Sequence, residues 1–185
     1  IQVISKIEFM LKIHSFTFSP IQENTYIIIN DNKNCLIVDP GCYYPEECEE
    51  LEYFINTNQL VPKALLNTHC HLDHVFGNRF VAEKWNLQPQ IHPLEKQVLE
   101  FAPQSGKMWG LPFENYTGPL IFLTPGEYIH LDDERLLILF TPGHSPGSIS
   151  FYSESNNLLI SGDVLFKESI GRTDLPGGDF DTLIS

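Results

Sequence analysis

The run His69-Cys70-His71-Leu72-Asp73-His74 stands directly after the apolar stretch Ala64-Leu65-Leu66. Imidazole and carboxylate are the side chains that zinc and related metals take as ligands. The placement suits a strand end that turns into a helix. His69 and His71 are two apart, so an extended backbone points them the same way. Asp73 and His74 are adjacent and reach a neighbouring place, which suggests two nearby metal positions. A match of this kind needs structural context, and the preceding apolar strand supplies it.

The chain has 185 residues, of which 42% are hydrophobic, with 24 acidic and 11 basic residues and a formal net charge of −13. This suits a single globular domain over residues 1–185. The charge excludes nucleic acid, which needs a basic footprint, and disfavours anionic membrane surfaces. No stretch is apolar enough to span a bilayer. Lys6, Glu8 and Lys12 interrupt the N-terminus, so it lacks the core of a secretory signal. Met10 is a candidate natural start, which would make residues 1–9 an extension. Cys35, Cys42, Cys48 and Cys70 show no CxxC spacing and are too sparse for a disulfide scaffold. Reduced thiols and a cytoplasmic location are expected, with a small-molecule substrate as partner. Nothing fixes the oligomeric state.

Strand-like patterns cover Ile13–Phe18, Thr25–Ile29 and Cys35–Asp39, with Asn30-Asp31-Asn32-Lys33-Asn34 as a turn, so the chain opens as a β-meander. An amphipathic helix is expected from Pro45 to Asn58 and a buried strand from Lys63 to Asn67. Helices follow over Val75–Trp85 and Pro93–Phe101, the second with Pro at its first position. Residues 102–119 have no clear period, and read either as a functional aromatic loop or as a surface loop pinned by its aromatics. Strands return at Leu120–Leu123, Arg135–Thr141, Ser148–Tyr152 and Leu158–Ile160. Asp179 or Asp181 caps a last helix that is barely a turn long at Ser185, so the ending looks cut.

Two further sites lie where strands meet loops. Thr141-Pro-Gly-His144-Ser-Pro-Gly147 follows one strand and Ser161-Gly-Asp163 another. Asp163 alone would be a turn residue or helix cap. With the other two sites it is a natural bridging carboxylate. Asp39 is either a hydrogen-bond partner of a metal ligand or the cap of the Pro40-Gly41 turn. Arg172 either meets an anionic substrate or pairs with Asp174. Cys70 alternates away from its neighbours and reads as packing. His14, His92 and His130 lack ligand spacing.

The order THxHxDH (Thr68 to His74), PGHSPGS (Pro142 to Ser148) and SGD (Ser161 to Asp163) resembles the metallo-β-lactamase superfamily. Within it the chain looks most like the single-domain hydrolases related to glyoxalase II, the hydroxyacylglutathione hydrolases. Gln22–Tyr26, Val38–Gly41 and Gly171–Gly178 fit that group too. The resemblance implies an α/β fold, a four-layer αββα sandwich with the site at one sheet edge. It further implies one metal on His69, His71 and His144, a second on Asp73 and His74, and Asp163 bridging both. In the family a further His, on a later strand, completes the second site. That strand and its helix would be missing here, leaving a second site that is incomplete and an exposed neighbouring strand edge. The expected metal is Zn2+ at two sites, with iron or manganese also suited to these ligands.

Such a site acidifies bound water to a pKa of roughly 7 and clamps attacking and leaving atoms. The implied reaction is hydrolysis of a thioester, such as lactoylglutathione, or of a related ester, with Asp73 orienting the hydroxide or accepting its proton. Persulfide dioxygenases offer an alternative, since their single iron would match His69, His144 and Asp163. A non-catalytic metal-binding module is a further one. Zinc β-lactamases of the commonest type carry Arg at the position of His74 and Cys in place of the SGD Asp.

Overall fold

The structure, a computed structural model, describes residues 10–185. The suggested extension over residues 1–9 lies outside the described residues. The opening meander is β1 (Lys12–Phe18), β2 (Glu23–Ile29) and β3 (Asn34–Val38), each antiparallel to the next. Helix α1 (Pro45–Thr57) then crosses to β4 (Val61–Leu66), which lies parallel to β3. Short β5 (Pro89–Ile91) and β6 (Ile121–Phe122) extend the parallel part, completing a sheet of order β1-β2-β3-β4-β5-β6. The second sheet holds β7 (Tyr128–Leu131), β8 (Glu134–Phe140), β9 (Ile149–Ser153) and β10 (Leu158–Ile160), all antiparallel, in the order β10-β9-β8-β7.

Alternation along the central strands builds two cores at once. On β3, Leu36 and Val38 face the second sheet and pack with Leu136, Ile138 and Phe151. Cys35 and Ile37 face the other way, onto Leu51 and Ile55 of α1 and Val81 and Ala82. On β4, Leu66 joins the first group and Leu65 the second. A strand buried on both faces reads as an unbroken apolar run, and Cys35-Leu36-Ile37-Val38 does. The layers described are helices, six-stranded sheet and four-stranded sheet. The outer face of the four-stranded sheet carries Tyr128, with the Arg135 guanidinium 4.6 Å over its ring.

The helix expected over Val75–Trp85 starts later, as α3 (Asn78–Trp85), and a separate short helix, α2 (Leu72–Val75), precedes it across a break at Phe76-Gly77. The break has a packing cause. Gly77 lies against Cys42 Sγ and the Pro40 carbonyl, so close that a side chain would not fit, and its N–H donates to Pro40 O at 2.7 Å.

The short helix expected over Pro93–Phe101 runs further. A 3-10 turn (Pro93–Glu95) leads into α4 (Lys96–Met108), which takes in the first part of the segment expected to be a loop. Pro103 sits inside α4 and cannot donate to Leu99 O, which normally ends or kinks a helix. Here Asn115 Nδ2 donates to that carbonyl at 2.6 Å. A side chain twelve residues beyond the proline thus supplies the bond the proline lacks. β5 and β7 fall outside the strands expected from the sequence. After β10 come a 3-10 turn (Gly162–Val164), the hairpin β11 (Leu165–Phe166) and β12 (Ser169–Ile170), and α5 (Phe180–Leu183), where Asp179 caps by accepting from Thr182 N. No described helix is long and apolar enough to cross a membrane.

Candidate metal centre

The site forms at the carboxyl ends of β3 and β4, where parallel strands expose their following loops. Asp39 N donates to Leu66 O, and Ile149 N at the start of β9 donates to Thr68 O, both at 2.9 Å. The second bond ties the two sheets together at this edge and lays the His144 loop over the His69 loop. Gly162 completes the closure. It has φ +51, and a Cβ there would strike Thr68 Oγ1. Only glycine lets the Asp163 turn approach so closely.

His69 Nε2 and His71 Nδ1 lie 3.2 and 2.9 Å from His144 Nε2. These three side chains form one group able to hold a metal ion, and His69, His74 and Asp163 form a second. Asp163 spans the two, with Oδ1 3.3 Å from His74 Nε2 and Oδ2 3.6 Å from His144 Nε2. Asp73 stands at the margin, its Oδ2 3.9 Å from His74 Nε2. All six residues that the resemblance implies as ligands are therefore brought to one place.

The hydrogen bonds assign the tautomers. His144 Nδ1 is 2.8 Å from Arg172 O, an acceptor only, so Nδ1 carries the proton and Nε2 a lone pair. Thr68 Oγ1 gives its hydrogen to Asp39 Oδ2 at 2.6 Å, so it accepts from His69 Nδ1 at 3.1 Å, and His69 Nε2 is bare as well. Two lone pairs thus face each other across 3.2 Å with no proton between them. That donor set fits a cation.

The electrostatics agree. Burial, reinforced by the neighbouring imidazoles, holds His69 well below the usual histidine range. Burial and His144 bring His71 down to about 3. Burial also lowers His144. These rings are neutral and ready to ligate at neutral pH. Burial acts the same way on His74, but Asp73, Asp39 and the contact with Asp163 outweigh it and leave His74 well above its ordinary value. Burial raises Asp163, and its contact with His74 more than reverses this.

The Asp39 side chain bonds into the site, while Gly41 N of the following turn donates to Thr25 Oγ1 at 2.8 Å. Asp39 accepts from Thr68 N and Oγ1, and its Oδ2 lies 3.1 Å from His74 Nδ1. Glu23, also buried, approaches the same nitrogen at 3.8 Å. Asn67 holds the next turn, its Nδ2 donating to His74 O at 2.9 Å. Arg172 pairs with Asp174 through two bonds of 2.7 Å, which realises the second of its two expected roles. Cys70 is fully buried beside Leu72 and Val75 and belongs to none of the ligand groups. His14 stacks on Phe54, and His92 accepts from Leu94 N.

Sequence reasoning passed over Glu95 and the pocket wall. The cluster forms one end of a cavity of about 510 Å³, walled by Leu94, Val98, Phe101 and Trp109 on one side and Leu175 and Pro176 on the other. A helix over Pro93–Phe101 was expected, but not which of its faces would meet the site.

Residues 19–185 match the family model described as Metallo-beta-lactamase superfamily. The chain is 41% identical over 167 residues to the probable metallo-hydrolase YqgX of Bacillus subtilis (strain 168), covering 90% of this chain and 77% of that protein. It is 38% identical over 170 residues to the hydroxyacylglutathione hydrolase GloC of Haemophilus influenzae, covering 89% and 76%. The crystal structure of BLEG-1 B3 metallo-beta-lactamase superposes with a TM-score of 0.84 at 36% identity, covering 94% and 82%. The fold, the metal-binding groups and these relatives agree: the chain belongs to the metallo-β-lactamase superfamily, with the fold of that family.

Proposed function

We propose that this chain is a metal-dependent hydrolase of thioesters, hydroxyacyl-thiols such as lactoylglutathione, or of related esters. The observation that carries the reading is a pair of adjoining donor groups, His69-His71-His144 and His69-His74-Asp163, at the end of a cavity. His69, His71 and His144 would hold one metal. Asp73 and His74 would hold a second, and Asp163 would bridge both. Zinc is the expected metal, and iron and manganese also suit this mixed nitrogen and oxygen set. When bound, such ions polarise a carbonyl and acidify water, so that hydroxide is available near neutral pH.

The chain's own residues do the rest. Thr68 and the Arg172 carbonyl lock the tautomers of His69 and His144, so their donor atoms need no rearrangement. Asp73 lines the cavity beside the cluster, where it can orient the attacking water and take its proton. The apolar wall from α4 excludes water from the acyl part of the substrate. Arg172 would receive a substrate carboxylate only by giving up Asp174. The likeness to GloC supports the thioester, and free thiols at all four cysteines suit a reducing, cytoplasmic setting.

The test is a panel on the metal-loaded chain, with metal content measured alongside. S-lactoylglutathione, a simple ester, a β-lactam and glutathione persulfide with oxygen uptake serve as substrates. Thioester turnover that tracks metal content is the expected result. Oxygen uptake with persulfide and one iron per chain would replace hydrolysis by dioxygenation. Inactivity on every substrate despite full loading would leave a metal-binding module.

A further inference from the structure

Glu95 is almost fully buried, belongs to no ligand group, and is the last residue of the 3-10 turn that leads into α4. Its two oxygens are fully committed. Oε2 accepts from Cys70 N at 2.7 Å. Oε1 accepts from Gly147 N at 2.7 Å and from Ser145 Oγ at 2.6 Å. Cys70 lies between His69 and His71, and Ser145 follows His144. One carboxylate therefore joins three parts of the chain: the loop bearing the first two imidazoles, the loop bearing the third, and the helix whose side chains wall the cavity. We infer that Glu95 is a positioning residue, a strut that sets the spacing of His69 and His71 against His144 and fixes both to the pocket wall.

Two features make this more than an ordinary buried hydrogen bond. Each oxygen faces a backbone N–H, so both ends must accept. A glutamine cannot do this, because its amide nitrogen would oppose one N–H whichever way it turned. Gly147 is also packed onto the strut, where an added Cβ would lie 2.9 Å from Glu95 Cγ and 2.9 Å from His92 Nδ1. The strut can thus be disturbed from either end, once by changing its acceptors and once by crowding it. A metal site whose supporting groups are loosened loses affinity about 10–100-fold even with every ligand in place.

The experiment measures zinc affinity of the whole chain by competition with a chromophoric chelator, together with far-UV circular dichroism and amide exchange at Cys70 and Gly147. Glu95→Gln and Gly147→Ala are each expected to keep the wild-type circular dichroism, to lose at least tenfold in zinc affinity, and to speed exchange at both amides. Glu95→Asp restores two accepting oxygens on a shorter arm and is expected to fall between Glu95→Gln and wild type. Ser145→Ala, which leaves both N–H bonds, is expected to change affinity less than threefold. The idea is overturned if the folded variants among Glu95→Gln, Glu95→Asp and Gly147→Ala bind zinc within twofold of wild type. If Glu95→Gln fails to fold, the other two decide on the same criterion. None of these readouts depends on which substrate the site turns over.

Discussion

Asp39 and Thr68, 29 residues apart, are joined twice: Asp39 Oδ1 accepts from Thr68 N at 2.7 Å and Oδ2 from Thr68 Oγ1 at 2.6 Å. The pair links the end of β3 to the first residue of the THxHxDH segment. Because Thr68 spends its hydrogen on Asp39, it can only accept from His69, and the tautomer of that ring follows. Asp39 sits at φ +49, an uncommon backbone for a residue with a side chain, so the site holds local strain where it needs position.

Replacing Asp39 with Asn leaves one oxygen for two donors. One Thr68 donor is then buried without a partner, which costs about 1–3 kcal/mol. Zinc affinity should fall about 10–100-fold as His69 and His74 lose their support. Thermal unfolding and chelator competition on Asp39→Asn measure the two effects. Unchanged zinc affinity would show that Asp39 holds the Thr68 loop without supporting the metal site.

Metal-free protein should lose stability in acid through His71. Its folded pKa is about 3 against an ordinary value near 6.5, so below pH 6.5 the unfolded chain binds a proton the folded one refuses. The stability this residue allows is full above about pH 6.5 and is lost progressively down to about pH 3. The difference in unfolding free energy between wild type and His71→Gln, both chelated, should move against wild type by up to about 1.4 kcal/mol per pH unit in that window. A difference that stays flat with pH would mean the ring is solvated in the folded state.

Metal removal should lower the melting temperature. Zinc at a hundredfold excess over its dissociation constant adds about 2.7 kcal/mol. For a chain of this size that corresponds to roughly 5–10 °C. Melting with and without chelator measures it, and His69→Ala should abolish the difference.

Asn115→Ala should destabilise by about 1–3 kcal/mol by orphaning Leu99 O. Pro103→Ala returns a backbone donor to that carbonyl. In the double variant the cost of Asn115→Ala should shrink, giving a coupling energy on the order of 1 kcal/mol in a double-mutant cycle. Strict additivity would show that Asn115 acts elsewhere.

Arg172→Ala should leave metal content unchanged, because the contact to His144 is made by the backbone carbonyl. Both side chains of the Arg172–Asp174 pair are exposed, and such pairs contribute little to folding. A rise in KM for lactoylglutathione with kcat unchanged would mean that Arg172 leaves Asp174 to bind the substrate carboxylate. Unchanged KM would assign it to the salt bridge alone.

The sequence by itself determined which imidazoles and carboxylates gather at the site and most of the strands that deliver them. Local order is enough for this. A two-sided apolar strand such as Cys35–Val38 or Ala64–Leu66 is legible in any register, and the residue types after it restrict the chemistry. The β-meander and α1 were legible for the same reason. What only the tertiary structure decided depends on contacts between distant segments. Neither Pro103 nor Asn115 predicts alone that a helix continues through a proline. Only the closure at Gly77 shows why the helix expected from Val75 starts at Asn78. No periodicity marks Glu95, since its three partners come from loops about 25 and 50 residues away. A sequence names the atoms that can bind a metal. Their spacing is set by hydrogen bonds and close packing between segments that meet only in the fold.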